Sequence, residues 1–329
     1  MEFSEEIISF VEFFIPCAVL AVLAISHILT KNLFKWLIFL FIVTEIAVVS
    51  CRPQDYNSDT SNYASYVEGI SDAVGADVLA VSKFEPLHLL LAVMAGDFRA
   101  WIVLEGLAAI CLTGFLITQL RRPETISIIL GCSQPLYSSS IRYAVGLLAV
   151  TSAMLLFPRR YVQFVATSLV GFFTHASLTV AGVAQQRRLW LTFICLLAFF
   201  FMVWNSQDLL ERSGGNQEFN GRAKGLRSFA CIILVIAYLR VQIFFYREKL
   251  FVSDVLTAFM IFFSTLFFFP ILNRWLIILM AIIATDCDRR FPSTSASRRV
   301  GSAFSVVIYT MLEGASSFDS LNRIMLMNN

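Results

Sequence analysis

Charge is what this chain has least of: only 15% of its 329 residues are Asp, Glu, Lys or Arg. An ordinary soluble domain carries about 25%. Hydrophobic residues make up 58% of the sequence and the mean hydropathy is +0.75. A water-soluble fold of this length would have to hide more apolar surface than one core can hold. A bilayer removes that difficulty, because lipid takes over as the home of apolar side chains. A spanning helix needs roughly 20 mostly apolar residues, which leaves room for about ten.

Other absences narrow the function. Net charge is only +2, which gives no argument for a nucleic-acid partner. The seven cysteines, Cys17, Cys51, Cys111, Cys132, Cys195, Cys231 and Cys287, lie mostly inside apolar runs and never at metal-ligand spacing. They read as small buried hydrophobes, not as a disulfide framework or a zinc site. A basic leader is missing: Met1-Glu2-Phe3-Ser4-Glu5-Glu6 is acidic, so the first apolar run reads as an uncleaved span. The sequence has no glycine-rich phosphate loop, no His-Glu-x-x-His and no Gly-x-Ser-x-Gly. Phosphate-loop, zinc-hydrolase and nucleophile-elbow chemistry therefore find no support. Asp286-Cys287-Asp288 sits beside Arg289 and Arg290 and reads as a charged helix end.

What is present is a series of apolar runs. Those at 7–29, 33–50, 100–120, 190–205, 226–246 and 251–272 are long enough to span. Runs at 125–137 and 141–157 flank Ser138-Ser139-Ser140, and another covers 275–285. Stretches 78–96 and 161–184 are ambiguous; Lys83, Glu85, Pro86 and His88 break the first, while Gly171 and His175 interrupt the second. The expected fold is an all-α, polytopic integral membrane protein with roughly 10–12 transmembrane or re-entrant helices. Residues 1–292 form one transmembrane domain with loops near 51–83 and 206–225. Residues 293–329 form a cytoplasmic tail that can carry a surface helix over 300–312.

Orientation follows the basic clusters Lys31/Lys35, Arg121/Arg122, Arg159/Arg160, Arg187/Arg188, Arg247/Lys249 and Arg289/Arg290. Placing all of them in the cytoplasm puts the N-terminus outside. Both ambiguous stretches then enter and leave on one side. The alternative makes both stretches full spans, with Arg121/Arg122 and Arg159/Arg160 outside.

Polar residues stranded among apolar ones are the functional candidates, since burying them in lipid is costly. Ser58 or Asp59 can cap a short interfacial helix that carries Tyr63, Tyr66, Val67 and Ile70 on one face. Asp59 and Tyr63 share a face. Alternatively, this loop is a solvated segment whose tyrosines merely mark the interface. Glu85 and His88 are three apart and point the same way on a helix, where a carboxylate beside an imidazole can act as a general base. Glu85 can equally be a helix start with Pro86 in its first turn. Arg142 opens an apolar run, Arg274 stands between two, and His175 lies deep in Phe172-Phe173-Thr174-His175. A lone arginine is more often a snorkelling anchor. However, Arg52, Arg142, Arg222 and Arg274 fall on one side in the first topology, and forked guanidinium donors suit a diphosphate.

Taken in order, these residues resemble the Wzy-type polysaccharide polymerases, in particular the EpsG-like branch. The resemblance runs through Arg52 closing the second span, Asp59 followed four residues later by Tyr63, and Glu85 opening a short apolar run. It continues with Ile141-Arg142, Phe173 and His175 with Ser177, and Arg274 before the final spans. It covers roughly residues 45–290. His88 stands where the family often has Tyr.

The resemblance implies a glycosyltransferase of the bacterial cytoplasmic (inner) membrane. It would join undecaprenyl-diphosphate-linked repeat units into a polysaccharide at the outer face. Arg52, Arg142, Arg274 and Arg222 would bind diphosphate. Asp59, Glu85 and His175 are the catalytic candidates, and Tyr63 and His88 would bind substrate. Several cations can replace a metal, so no cofactor or metal is expected. A chain-length regulator protein is a candidate partner. A flippase for the same lipids and an O-antigen ligase-like transferase are the alternatives.

Overall fold

The computed structural model describes residues 3–72, 85–157, 159–175, 178, 270–290, 302–313 and 325. The runs at 190–205, 226–246 and 251–272, the loop 206–225 and Arg222 lie outside the described residues. Every regular element among the described residues is an α-helix. In chain order these are α1 (Glu5–Ala24), α2 (Lys31–Val49), α3 (Ser58–Asp72), α4 (Pro86–Ala95), α5 (Phe98–Gln119), α6 (Pro123–Ser133) and α7 (Pro135–Ser139). They are followed by α8 (Ile141–Leu156), α9 (Arg160–Thr174), α10 (Pro270–Arg290) and α11 (Ser302–Glu313).

α1, α2 and α5 are long and apolar enough to cross a membrane. Each begins where a side chain takes up an orphan backbone donor. Ser4 Oγ accepts from Ile7 N, Thr30 Oγ1 from Leu33 N, and Asp97 Oδ1 from Ala100 N. Their faces are sorted the opposite way from a helix in water. Glu12, Glu45 and Glu105 are buried, while Phe10, Phe14, Trp36, Leu40 and Leu107 are exposed. Polar groups turned inward and large apolar groups turned outward is the arrangement a lipid solvent selects.

α1 and α2 are antiparallel, closed at one end by Phe3 N donating to Cys51 O at 3.1 Å. α5 lies along α2, with Gly106 against Ser50, Gly114 against Phe39, and Lys35 Nζ on Thr118 O at 2.6 Å. The far end of α5 meets the end of α10: Asp288 accepts from the backbone N–H groups of Arg121 and Arg122 at 2.7–3.1 Å. Lys31, Lys35, Arg121, Arg122 and Arg289 thus gather at one end of the bundle.

Of the ambiguous stretch 78–96 the described residues are 85–96, and they form α4, whose ten residues span about 15 Å. It doubles back on α5 through Gly96 at φ 73°, a conformation that a Cβ would strain. α8 and α9 form a second hairpin. Gln163 Nε2 donates to Met154 O at one end, and the Tyr143 and His175 rings meet at the other.

The tail segment is helical over Ser302–Glu313 and packs into the bundle. Ser302 Oγ donates to Leu23 O on α1, and Tyr309 OH donates to Gln134 Oε1. Gly131 of α6 allows this approach, because a Cβ there would sit 2.9 Å from Leu312 Cβ. Gly131→Val is expected to force the two helices apart and cost about 1–3 kcal/mol. The check is a lowered unfolding midpoint for the detergent-solubilised protein.

Candidate functional site

The chain breaks its helix twice between Ser133 and Ile141. Pro135 lacks a backbone donor and starts a new turn. Ser140, at φ −145° and ψ 67°, ends it and precedes α8. Its Oγ lies 3.2 Å from Tyr63 OH of α3. The break puts Arg142 in the first turn of α8, where a cation opposes the helix dipole. Its placement there is stabilised from outside the helix.

That stabilisation comes from Glu85 and Tyr63. Glu85 Oε2 accepts from Arg142 Nη1 at 2.9 Å. The Arg142 guanidinium also lies 4.7 Å from the centroid of the Tyr63 ring, a cation–π contact. Tyr63 is held edge-on by Trp101 at 5.5 Å. Glu85 is the N-cap of α4 and Pro86 its first residue, so the helix-start reading of Pro86 holds. The Glu85 side chain caps nothing in α4 and reaches instead to Arg142 with one oxygen and to His175 with the other. His175 Nε2 is 3.9 Å from Glu85 Oε1. His175 terminates α9, and its ring meets the Tyr143 edge at 5.1 Å.

Glu85, Arg142 and His175 therefore form one cluster, with side chains 17%, 15% and 18% exposed. The three groups can carry out a recognisable division of labour. A carboxylate and an imidazole can accept a proton, and a guanidinium beside a helix N-terminus can hold an anion.

Other sequence-predicted residues stand elsewhere. Arg52 is fully buried; its Nη1 donates to Tyr137 O at 2.6 Å, and its own carbonyl accepts from Arg99 Nη1 at 2.9 Å. It binds the broken segment 134–140 to the end of α2 instead of opening to a ligand. His88 is also fully buried, with Nδ1 2.5 Å from Glu105 Oε1 of α5. Although three residues from Glu85, it clamps α4 to α5 and has no face for substrate. Tyr63 is only 5% exposed, so it supports Arg142 from behind. The cap of α3 is Asn57, whose Oδ1 accepts from Thr60 N at 2.8 Å, in place of Ser58 or Asp59. Asp59 lies in the first turn of α3, and its side chain lies outside the described residues. The same holds for the Arg274 side chain. Its backbone lies on α10, 14 residues before Asp288, which is about 21 Å along the helix. α10 packs against α6 and α8.

No family model, curated protein or solved structure matches this chain.

Among the residues that sequence reasoning passed over, Glu105 and Trp101 matter most. Glu105 stands inside an apolar run, and that signal alone marks a residue with a partner. Trp101 and Ser140 carried no such signal, because what they do depends on tertiary packing.

Proposed function

We propose that the chain is a multi-pass membrane glycosyltransferase that polymerises lipid-linked glycan repeat units. The observation that carries the proposal is Glu85 reaching both Arg142 and His175 in one partly exposed cluster. The positive-inside rule makes the end with Lys31, Lys35, Arg121 and Arg289 cytoplasmic. The Glu85–Arg142–His175 cluster, away from those cations, then lies toward the extracytoplasmic half.

In the reaction, an acceptor hydroxyl oxygen forms a bond to the donor's anomeric carbon. The bond from that carbon to the diphosphate oxygen breaks, and the polyprenyl diphosphate leaves with the electron pair. The hydroxyl proton passes to the Glu85–His175 pair. Charge grows on the leaving diphosphate in the transition state, where fixed cations act most strongly. Arg142 has a fork of five N–H donors, so it can grip phosphate while Glu85 holds part of the fork. The α8 dipole adds to this, because its positive end carries Arg142. Arg274 is a second candidate. It stands about 21 Å from the basic end of α10, and Arg142 stands the same length of helix from the far end of α8.

The test is purified protein in vesicles supplied with polyprenyl-diphosphate-linked repeat units. A ladder of extended glycans is the expected result. Movement of lipid across the bilayer without a ladder would make it a flippase. Transfer only to a different acceptor would make it a ligase.

A further inference from the structure

At the basic end of the bundle, away from the Glu85–Arg142–His175 cluster, two cavities share Lys31 and Lys35. The larger, about 460 Å³, runs between α2 and α5 and is lined by Lys31, Lys35, Trp36, Phe39, Gly114 and Ile117. The smaller, about 170 Å³, adds Arg121 and Ser26. The larger cavity is amphiphilic by construction. Lys31 and Lys35 stand in the first turns of α2, and Phe39 lies about 12 Å farther into the apolar zone than Lys31. Gly114 opens the inner wall, since a Cβ there would lie 3.0 Å from the Phe39 ring.

The charge at the mouth is predominantly positive, three cations beside the one carboxylate of Asp288. Among the described residues, Lys31, Lys35 and Arg121 take part in none of the ion pairs. The nearby carboxylate of Asp288 is occupied by the backbone N–H groups of Arg121 and Arg122. Lys35 Nζ donates to Thr118 O, which leaves an ammonium two further donors. Trp36 is 69% exposed at the rim, where an indole favours the interface between headgroup and acyl chain.

We propose that this groove is a binding site for an anionic phospholipid. Its phosphate sits among Lys31, Lys35 and Arg121, and one acyl chain lies against Phe39, Gly114 and Ile117. The inference rests on α2 and α5 crossing a bilayer and is independent of the glycosyl-transfer reading. A zwitterionic lipid matches the walls but not the mouth, whose cations are each worth about fivefold in affinity for an anionic surface.

Trp36 supplies the reporter. The full chain is reconstituted in phosphatidylcholine vesicles containing dibromo-acyl phosphatidylglycerol or dibromo-acyl phosphatidylcholine. The Trp36 signal is obtained by subtracting the Trp36→Phe variant. Quenching by the brominated anionic lipid is expected at a roughly tenfold lower mole fraction. That preference should vanish in the Lys31→Gln/Lys35→Gln variant. Gly114→Leu, which fills the groove and keeps the charges, should weaken quenching by both lipids. Equal quenching of the native chain by the two lipids would overturn the proposal. So would no quenching of Trp36 by either, which would mean that something other than lipid covers the groove.

Discussion

Arg142→Ala should lower chain extension by at least about a hundredfold while the protein still inserts and can be purified at near-native yield. The side chain is 15% exposed, so its removal opens no sealed cavity. Its loss also leaves Glu85 without its cation, which is why Arg142→Ala and Glu85→Gln are best read together. Arg142→Lys keeps the charge but loses the fork, and should recover only part of the activity. Tyr63→Phe keeps the ring under the guanidinium and loses the hydroxyl that bonds Ser140; it should be mild. Tyr63→Ala removes the ring and should approach the Arg142→Ala defect. The assay is ladder length per unit time from lipid-linked repeats. Native ladders from Arg142→Ala would remove the diphosphate assignment.

The second large effect is on stability. His88 and Glu105 are both fully buried and pair at 2.5 Å, while His88 Nε2 and Glu105 Oε2 find no protein partner. Removing one member of a buried pair strands the other and costs about 3–5 kcal/mol. Glu105→Ala and His88→Ala should each lower the unfolding midpoint sharply. The double variant His88→Leu/Glu105→Leu should be much less damaged than the sum of the two, because it strands nothing. That non-additivity measures the coupling. Additive losses would mean that the two side chains do not depend on each other. Glu85 begins the same ten-residue helix, so the single variants should also reduce chain extension by loosening α4.

Glu85, Arg142 and His175 were legible in the sequence for one reason: ionisable groups in apolar surroundings rarely persist without a use. The same rule, applied evenly, would have picked out Glu12, Glu45 and Glu105, which sit inside runs long enough to hide them. The roles were less legible than the residues. His88 and Glu85 are neighbours at the start of one short helix, yet His88 is sealed against α5 while Glu85 is partly exposed and turns to Arg142 and His175. Spacing along a helix gives the face; what stands opposite is decided by elements far away in the chain. Arg52 illustrates the same limit, because it bonds a carbonyl, that of Tyr137, left free by the break at Ser140. α11 was hardest to place. Ser302, Ser305, Tyr309 and Glu313 form a polar stripe at helical spacing that reads as the wet side of a surface helix. All four are buried at 3% or less, because α11 packs that stripe against the bundle, with Ser302 on Leu23 and Tyr309 on Gln134.

The meeting of α11 with α1 has a consequence for biogenesis. Ser302 bonds to Leu23, 279 positions earlier, so α1 is made long before this neighbour is translated. Until then Ser26 and Gln134 wait without Ser302 and Tyr309. Such distant contacts form slowly. During that interval the polar groups that α11 covers in the finished molecule stand bare, so the last described helix is also the one that closes the seam opened by the first.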